Sequence, residues 1–162
     1  MSRLTLDTSA YSSFKRGHPD VVRHLRNAQE ILLPSIVLGE LLAGFETGSR
    51  AQRNREELRL FLGSPRVRLV PIGEATAERY AAIYASLRAV GQPIPTNDLW
   101  IAASVMEHGT ELVTLYRDIT HVAQILVALY QPRTQWVVKT GLSPNHGQKF
   151  LVHQNLLSLK RP

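Results

Sequence analysis

The stretch PTNDLWIAASVMEHGTELVTL, residues 95–115, decides the fold. DLWIAASVMEHG reads as a helix that Thr96 or Asn97 caps and Gly109 ends, and ELVTL (111–115) as a short apolar strand directly behind it. A helix feeding a strand is half of an alternating unit, and the chain N-terminal to it repeats the pattern. EATAERYAAIYASLRAV (74–90) is rich in helix formers and stops at Gly91, with the loop GQPIPTN leading out of it. VRLVPI (67–72) is a strand, and AQRNREELRLFLG (51–63) is a charged amphipathic helix ended by Gly63 and Pro65. SIVLGELLAGF (35–45) is a helix with Ser35 as its expected cap and Glu40 one turn inside. ILLP (31–34) is a strand closed by Pro34, and PDVVRHLRNAQ (19–29) places Val21, Val22 and Leu25 on one helical face. LTL (4–6) opens the series and runs into Asp7, followed by the turn and cap formers Thr8 and Ser9.

Alternation of this kind predicts an α/β fold with a mainly parallel sheet covered by helices, and in such sheets ligands gather beyond the carboxyl ends of the strands. Asp7 stands at one such end. Glu40 and Asp98 fall in the first turns of helices that begin at the same edge, so three carboxylates are expected to converge there.

Composition narrows what such a cluster can do. At 162 residues the chain suffices for one core, and no run approaches the roughly 18 apolar residues of a membrane span. The N-terminus MSRLTLDTSAY lacks the charged-then-apolar order of a secretory signal, and cysteine is absent, which together point to the cytoplasm. The net charge of +6 is uneven: all 13 acids lie at or before Asp118, whereas residues 119–162 carry Arg133, Lys139, Lys149, Lys160 and Arg161. The nearly neutral body therefore has to be read from its sites. We expect two parts, residues 1–130 as the α/β domain and 131–162 as a basic extension, the boundary set where QPRTQW breaks the periodic pattern.

Clustered carboxylates repel one another, and an all-oxygen set selects a hard divalent cation, Mg²⁺ or Mn²⁺. None of the six histidines is spaced H-x-x-x-H or H-x-H, and no G-x-S-x-G is present, which disfavours a zinc site and serine nucleophile chemistry. An aspartyl-phosphatase pair is disfavoured as well, because the residue two after Asp7 is Ser9. Each acid has a bland reading: Asp7 as a turn or cap residue, Asp98 as a first-turn acid favoured by the helix dipole. Glu40, set among apolar residues, is harder to dismiss, since an unpaired carboxylate on such a face costs free energy. Metal-assisted hydrolysis leads.

Four segments in order, LDTSAY (6–11), PSIVLGELLAGF (34–45), PTNDLWIAASVMEHG (95–109) and LVTLYRDITHV (112–122), resemble the PIN-domain ribonucleases, and among them the VapC toxins of bacterial toxin–antitoxin pairs. The resemblance covers about the first 130 residues. It implies an α/β/α sandwich whose acidic pocket holds one or two Mg²⁺, with Mn²⁺ as a substitute, and hydrolyses RNA. It implies catalytic and metal-binding roles for Asp7, Glu40 and Asp98, a supporting hydroxyl at Ser9, and a homodimer inhibited by an antitoxin, with helices 35–46 and 51–63 as candidate contact surfaces. Thr114 matches the last family motif, but Tyr116 stands where an Asp is usual, Asp118 matches the secondary acid, and Ile119 replaces an aromatic residue. In an extended segment positions 116 and 118 face the same side, so Asp118 is expected to take the missing ligand role. The alternative is a catalytically weak or inactive PIN-fold protein that still dimerises and binds antitoxin.

Overall fold

A computed structural model describes residues 2–132. Its strands are β1 (Arg3–Leu6), β2 (Glu30–Pro34), β3 (Val67–Val70), β4 (Glu111–Thr114) and β5 (Leu126–Leu129). Its helices are α1 (Thr8–Lys15), α2 (Pro19–Asn27), α3 (Ser35–Glu46), α4 (Ala51–Leu62), α5 (Glu74–Ala89) and α6 (Thr96–His108), with a 3-10 turn at Arg117–His121. All five strands pair in parallel, in the order β3-β2-β1-β4-β5. The order reverses between β1 and β4, and with right-handed crossovers this puts helices on both faces of the sheet. The expected α/β/α architecture is therefore the one observed, and the gap between the ends of β1 and β4 is the switch point where such sheets bind ligands.

Burial on both faces explains why the strands read as nearly continuous apolar runs. Leu4, Leu6, Ile31, Leu32, Leu33, Leu112 and Val113 are all inaccessible to solvent. On α1 and α4, Tyr11, Phe14 and Phe61 pack ring against ring, with Phe61 centroids 5.3 Å and 5.7 Å from the other two. α5 and α6 run side by side, and the short side chains Ala102 and Ala103 of α6 are fully buried.

Several local expectations are corrected. Ser35 and Thr96 are the first residues of their helices rather than caps, because Pro34 and Pro95 occupy the capping positions with extended backbone and make no side-chain cap bond. Strand 67–72 stops at Val70, before Pro71, and helix 19–29 stops at Asn27. Thr8 and Ser9, expected as turn and cap formers, begin the helix α1, since the Asp7 side chain caps it and Ala10, Tyr11 and Phe14 bury their side chains. β5 was not expected. It is pinned beyond its end by two histidines: His24 Nδ1 lies 2.7 Å from the Tyr130 hydroxyl, and His18 Nε2 lies 3.0 Å from the Gln131 carbonyl. The basic stretch 133–162 lies outside the described residues.

Gly109 ends α6 with φ 58° and ψ 45°, the left-handed conformation that lets the chain turn into β4. A Cβ placed there meets no atom within 4 Å, so a substitution costs backbone strain alone. Gly109→Ala should lower the unfolding free energy by about 1 kcal/mol and Gly109→Asn by less, measured by urea denaturation; equal stability of all three proteins would show that the turn relaxes.

Candidate active site

The site grows from the carboxyl ends of β1, β2 and β4. Directly after β1, Asp7 is 5% exposed and accepts from the Ala10 amide at 2.7 Å, from the Ser9 hydroxyl at 2.7 Å, and through a short bond from the Thr114 hydroxyl at the end of β4. One carboxylate thus caps α1 and links the two strands at the switch point. Ser9 passes the link on, its oxygen accepting from the Leu115 amide at 2.9 Å, while the Thr114 hydroxyl accepts from the Tyr116 amide at 2.9 Å. Burial pushes the Asp7 carboxyl above its usual range; the bonds from Thr114, Ala10 and Ser9 pull it back, and the charge of Glu40 pushes it up again.

Glu40 projects from the second turn of α3 and is gripped from two sides. Thr8, at the start of α1, donates a short bond to Oε2, and the Asn97 amide nitrogen, at the start of α6, donates to Oε1 at 2.7 Å. The sequence reading had missed both: Thr8 read as a turn former and Asn97 as a helix cap. Their only visible signal was their place beside Asp7 and Asp98, because the bonds join residues 32 and 57 positions apart.

Asp98 is half-buried in the first turn of α6 and has no hydrogen-bond partner among the described residues. Its carboxyl is pushed up to about 6, first by burial and then by the charges of Asp7, Glu40 and Asp118. A helix N-terminus favours an anion, so the upward shift means that repulsion and desolvation outweigh the dipole. Four acids therefore share one field. Among the described residues no Lys, Arg or His forms an ion pair with any of them.

The segment after β4 departs from expectation. Rather than continuing extended, the chain coils at Arg117–His121, which puts Asp118 on the exposed rim. Tyr116 lies beside it, 38% exposed, and its hydroxyl donates to Asp118 Oδ2 at 3.1 Å. That bond holds the Tyr116 phenol above its ordinary value, and the Asp118 and Asp98 charges add to it. The backbone is thus not extended at residue 118 as expected, yet the Tyr116 and Asp118 side chains still meet, and Asp118 is close enough to act on Asp98.

Carboxylate, hydroxyl and amide oxygens make a hard donor set, and the surplus of negative charge is of the sign a divalent cation relieves. As they stand, no three His, Asp or Glu side chains among the described residues are close enough together to enclose an ion. The charges are gathered, and of Asp7, Glu40 and Asp98 it is Asp98 that accepts no hydrogen bond among the described residues.

The raised Asp98 value has a consequence for stability. A carboxyl that binds its proton more tightly when folded than when unfolded costs stability as the pH rises from the ordinary value near 3.8 to about 6, and the cost is fully present above that. Discounted for the half of the group that water screens, the cost is about 1–2 kcal/mol. In chelator, Asp98→Asn should therefore melt about 3–6 °C higher than the natural protein at pH 7.5 and at nearly the same temperature at pH 4. A gain equal at both pH values would mean that charge is not the cause.

A family model for the PIN domain matches residues 4–125. Ribonuclease VapC4 of Mycobacterium tuberculosis is 32% identical over 83 residues, covering 51% of this chain and 64% of that protein, so the aligned stretch spans less than two thirds of that relative. Among solved structures, VapBC2 from Rickettsia felis bound to a DNA fragment from its promoter superposes with a TM-score of 0.70 at 23% identity, covering 80% of this chain and 99% of that one. DNA-bound VapBC from Salmonella typhimurium gives 0.69 at 24% identity, covering 79% and 98%. With its ordered acids at the carboxyl edge of a five-stranded parallel sheet, the chain belongs to the PIN domain family.

Proposed function

We propose that this protein is a Mg²⁺-dependent endoribonuclease, a toxin held inactive by a cognate antitoxin. The observation that carries the reading is the gathering of Asp7, Glu40, Asp98 and Asp118 in one field, none of them in an ion pair among the described residues. Asp7, Glu40 and Asp98 would hold the ion, with Asp118 reaching from the rim. When bound, a divalent ion at such a site supplies charge neutralisation at the phosphate and a water acidic enough to attack it. The chain's own residues prepare the place: Ser9 and Thr114 orient Asp7, and Thr8 and Asn97 orient Glu40. Mn²⁺ should substitute, being of similar hardness.

The names of the relatives support the rest of the reading. VapC4 is a ribonuclease, and the solved structures are of VapBC complexes. The partners are therefore RNA, an antitoxin and a second copy of the chain, met in the cytoplasm, with the exposed faces of α3 and α4 as contact surfaces. Consistent with this, no helix among the described residues is long and apolar enough to cross a membrane. The nuclease unit ends near Tyr130, and residues 131–162 form a basic extension. The second reading, an interaction protein with weak or no catalysis, draws on the Tyr116 hydroxyl, which occupies Asp118 where a further carboxylate is usual.

Two experiments separate these readings. With Mg²⁺, purified protein should cleave RNA, and Asp98→Asn or EDTA should reduce cleavage by about 100-fold or more, given that even outer-sphere partners of a metal are worth 10–100-fold. Cleavage that survives both changes would sink the metal mechanism, and a melting temperature indifferent to millimolar Mg²⁺ or Mn²⁺ would favour the interaction protein. Tyr116→Asp should raise Mn²⁺ affinity and cleavage by about tenfold, and Asp118→Asn should abolish cleavage in the natural background. If both variants behave like the natural protein, the segment after Thr114 is not part of the site.

A further inference from the structure

The face shared by α5 and α6 carries three aromatic rings in a ladder. Trp100 and Tyr80 have ring centroids 4.2 Å apart and planes 29° apart, and Tyr80 and Tyr84 have centroids 6.3 Å apart and planes 9° apart. Tyr80 and Tyr84 are one turn apart on α5, which is why their rings stack along the helix. Trp100 and Tyr80 are half-buried, whereas Tyr84 ends the ladder 45% exposed. A cavity of about 260 Å³ opens beside it, lined by Tyr84, Leu87, Arg88, Pro93, Ile94 and Leu99. That is just below the roughly 300–1,000 Å³ of sites for drug-sized ligands, and it matches the scale of a single flat ring system.

Two further observations indicate what the cavity takes. Arg88 Nη1 donates to the Tyr84 hydroxyl at 3.0 Å, and Arg88 pairs with no carboxylate among the described residues, so a cation is fixed at the rim with its charge uncompensated. Leu99, in the cavity wall, directly follows Asp98, so the cavity and the acid cluster share the start of α6. The exposed Tyr84 ring, with one face already against Tyr80, offers its other face at low entropic cost, and a guanidinium suits phosphate by charge and geometry.

We propose that this cavity is a nucleobase subsite: an unpaired base of the RNA enters it against Tyr84, Arg88 takes the neighbouring phosphate, and the strand continues from there to the acid cluster. The assignment rests on the reading of the protein as a ribonuclease and adds to it a place for one base of the substrate.

The test uses full-length Asp98→Asn protein in EDTA, in which cleavage is expected to be about 100-fold or more slower, and fluorescein-labelled single-stranded RNA octamers read by fluorescence anisotropy. Tyr84→Ala should weaken binding about tenfold, the size of one base–aromatic stack, while Tyr84→Phe, which keeps the ring, retains tight binding. Arg88→Gln should weaken binding and reduce the slope of log affinity against log salt by about one. Replacing each nucleotide in turn by an abasic one should identify a position whose loss costs the Tyr84 protein about tenfold and the Tyr84→Ala protein nothing further. Equal abasic penalties in the two proteins would overturn the subsite. So would a Tyr84→Ala variant that binds RNA undiminished, or one that turns a dimer into a monomer by light scattering, since the face would then be covered by a second copy of the chain. Cleavage by the Asp98 protein without any Tyr84 dependence of binding removes only the subsite; Tyr84-dependent binding without cleavage sustains it and removes the nuclease reading.

Discussion

A buried carboxylate at the switch point of the sheet is the constraint on which the rest depends. Asp7 lies where β1 ends and α1 begins, and its oxygens accept bonds from Ser9 and Ala10 of α1 and from the Thr114 hydroxyl reaching across from β4. Removing a carboxylate from water is costly, and three donors offset part of that cost, the amide at the start of α1 with the helix dipole behind it. The arrangement settles two matters together. It fixes how α1 leaves the sheet, and it plants a negative charge that every neighbouring acid must then tolerate.

The neighbours tolerate it in different ways. Glu40 is held at both oxygens by Thr8 and Asn97, and those donors come from the starts of α1 and α6, so three helices are tied together through one side chain. Asp98 has no such donors among the described residues, and burial first, then the charges of Asp7, Glu40 and Asp118, push its carboxyl up to about 6. On the proposed reading, Asp7 and Glu40, oriented by their hydrogen bonds, and Asp98, without one among the described residues, would hold a divalent cation together, and proton and cation would compete for them because both relieve the same repulsion.

How far the sequence disclosed this depends on how local each signal was. The helix at 96–108 and the strand behind it are written in apolar runs and closed by Gly109, and the acids Asp7, Glu40 and Asp98 follow from standing beside such elements. TSAYSSFK was illegible as a helix because Ser and Thr favour turns when taken alone; it is helical because Asp7 caps it and its small and aromatic residues reach the core. LVAL at 126–129 is four residues long at the edge of the sheet, held by pairing to β4 and by the histidine contacts to Tyr130, none of which leaves a local trace. The grips on Glu40 were hidden for the same reason, since each joins positions far apart in the chain. Residues 117–121 misled in the opposite direction: the run into Thr114 is extended, and nothing nearby in the sequence marks where extension ends.

Tyr116 is best understood through charge. A carboxylate at that position would add a further negative group to charges that, after burial, already help push Asp98 up to about 6, and in the absence of cation the protein would bear the added repulsion as lost stability. A phenol carries no charge at neutral pH, and its hydroxyl gives Asp118 a donor in place of a competitor. On the proposed metal-dependent reading, Tyr116 would therefore favour a cation-free protein that is easier to keep folded and would weaken the cation site, both through the repulsion among acids at the sheet edge, so that neither could be altered at position 116 without altering the other.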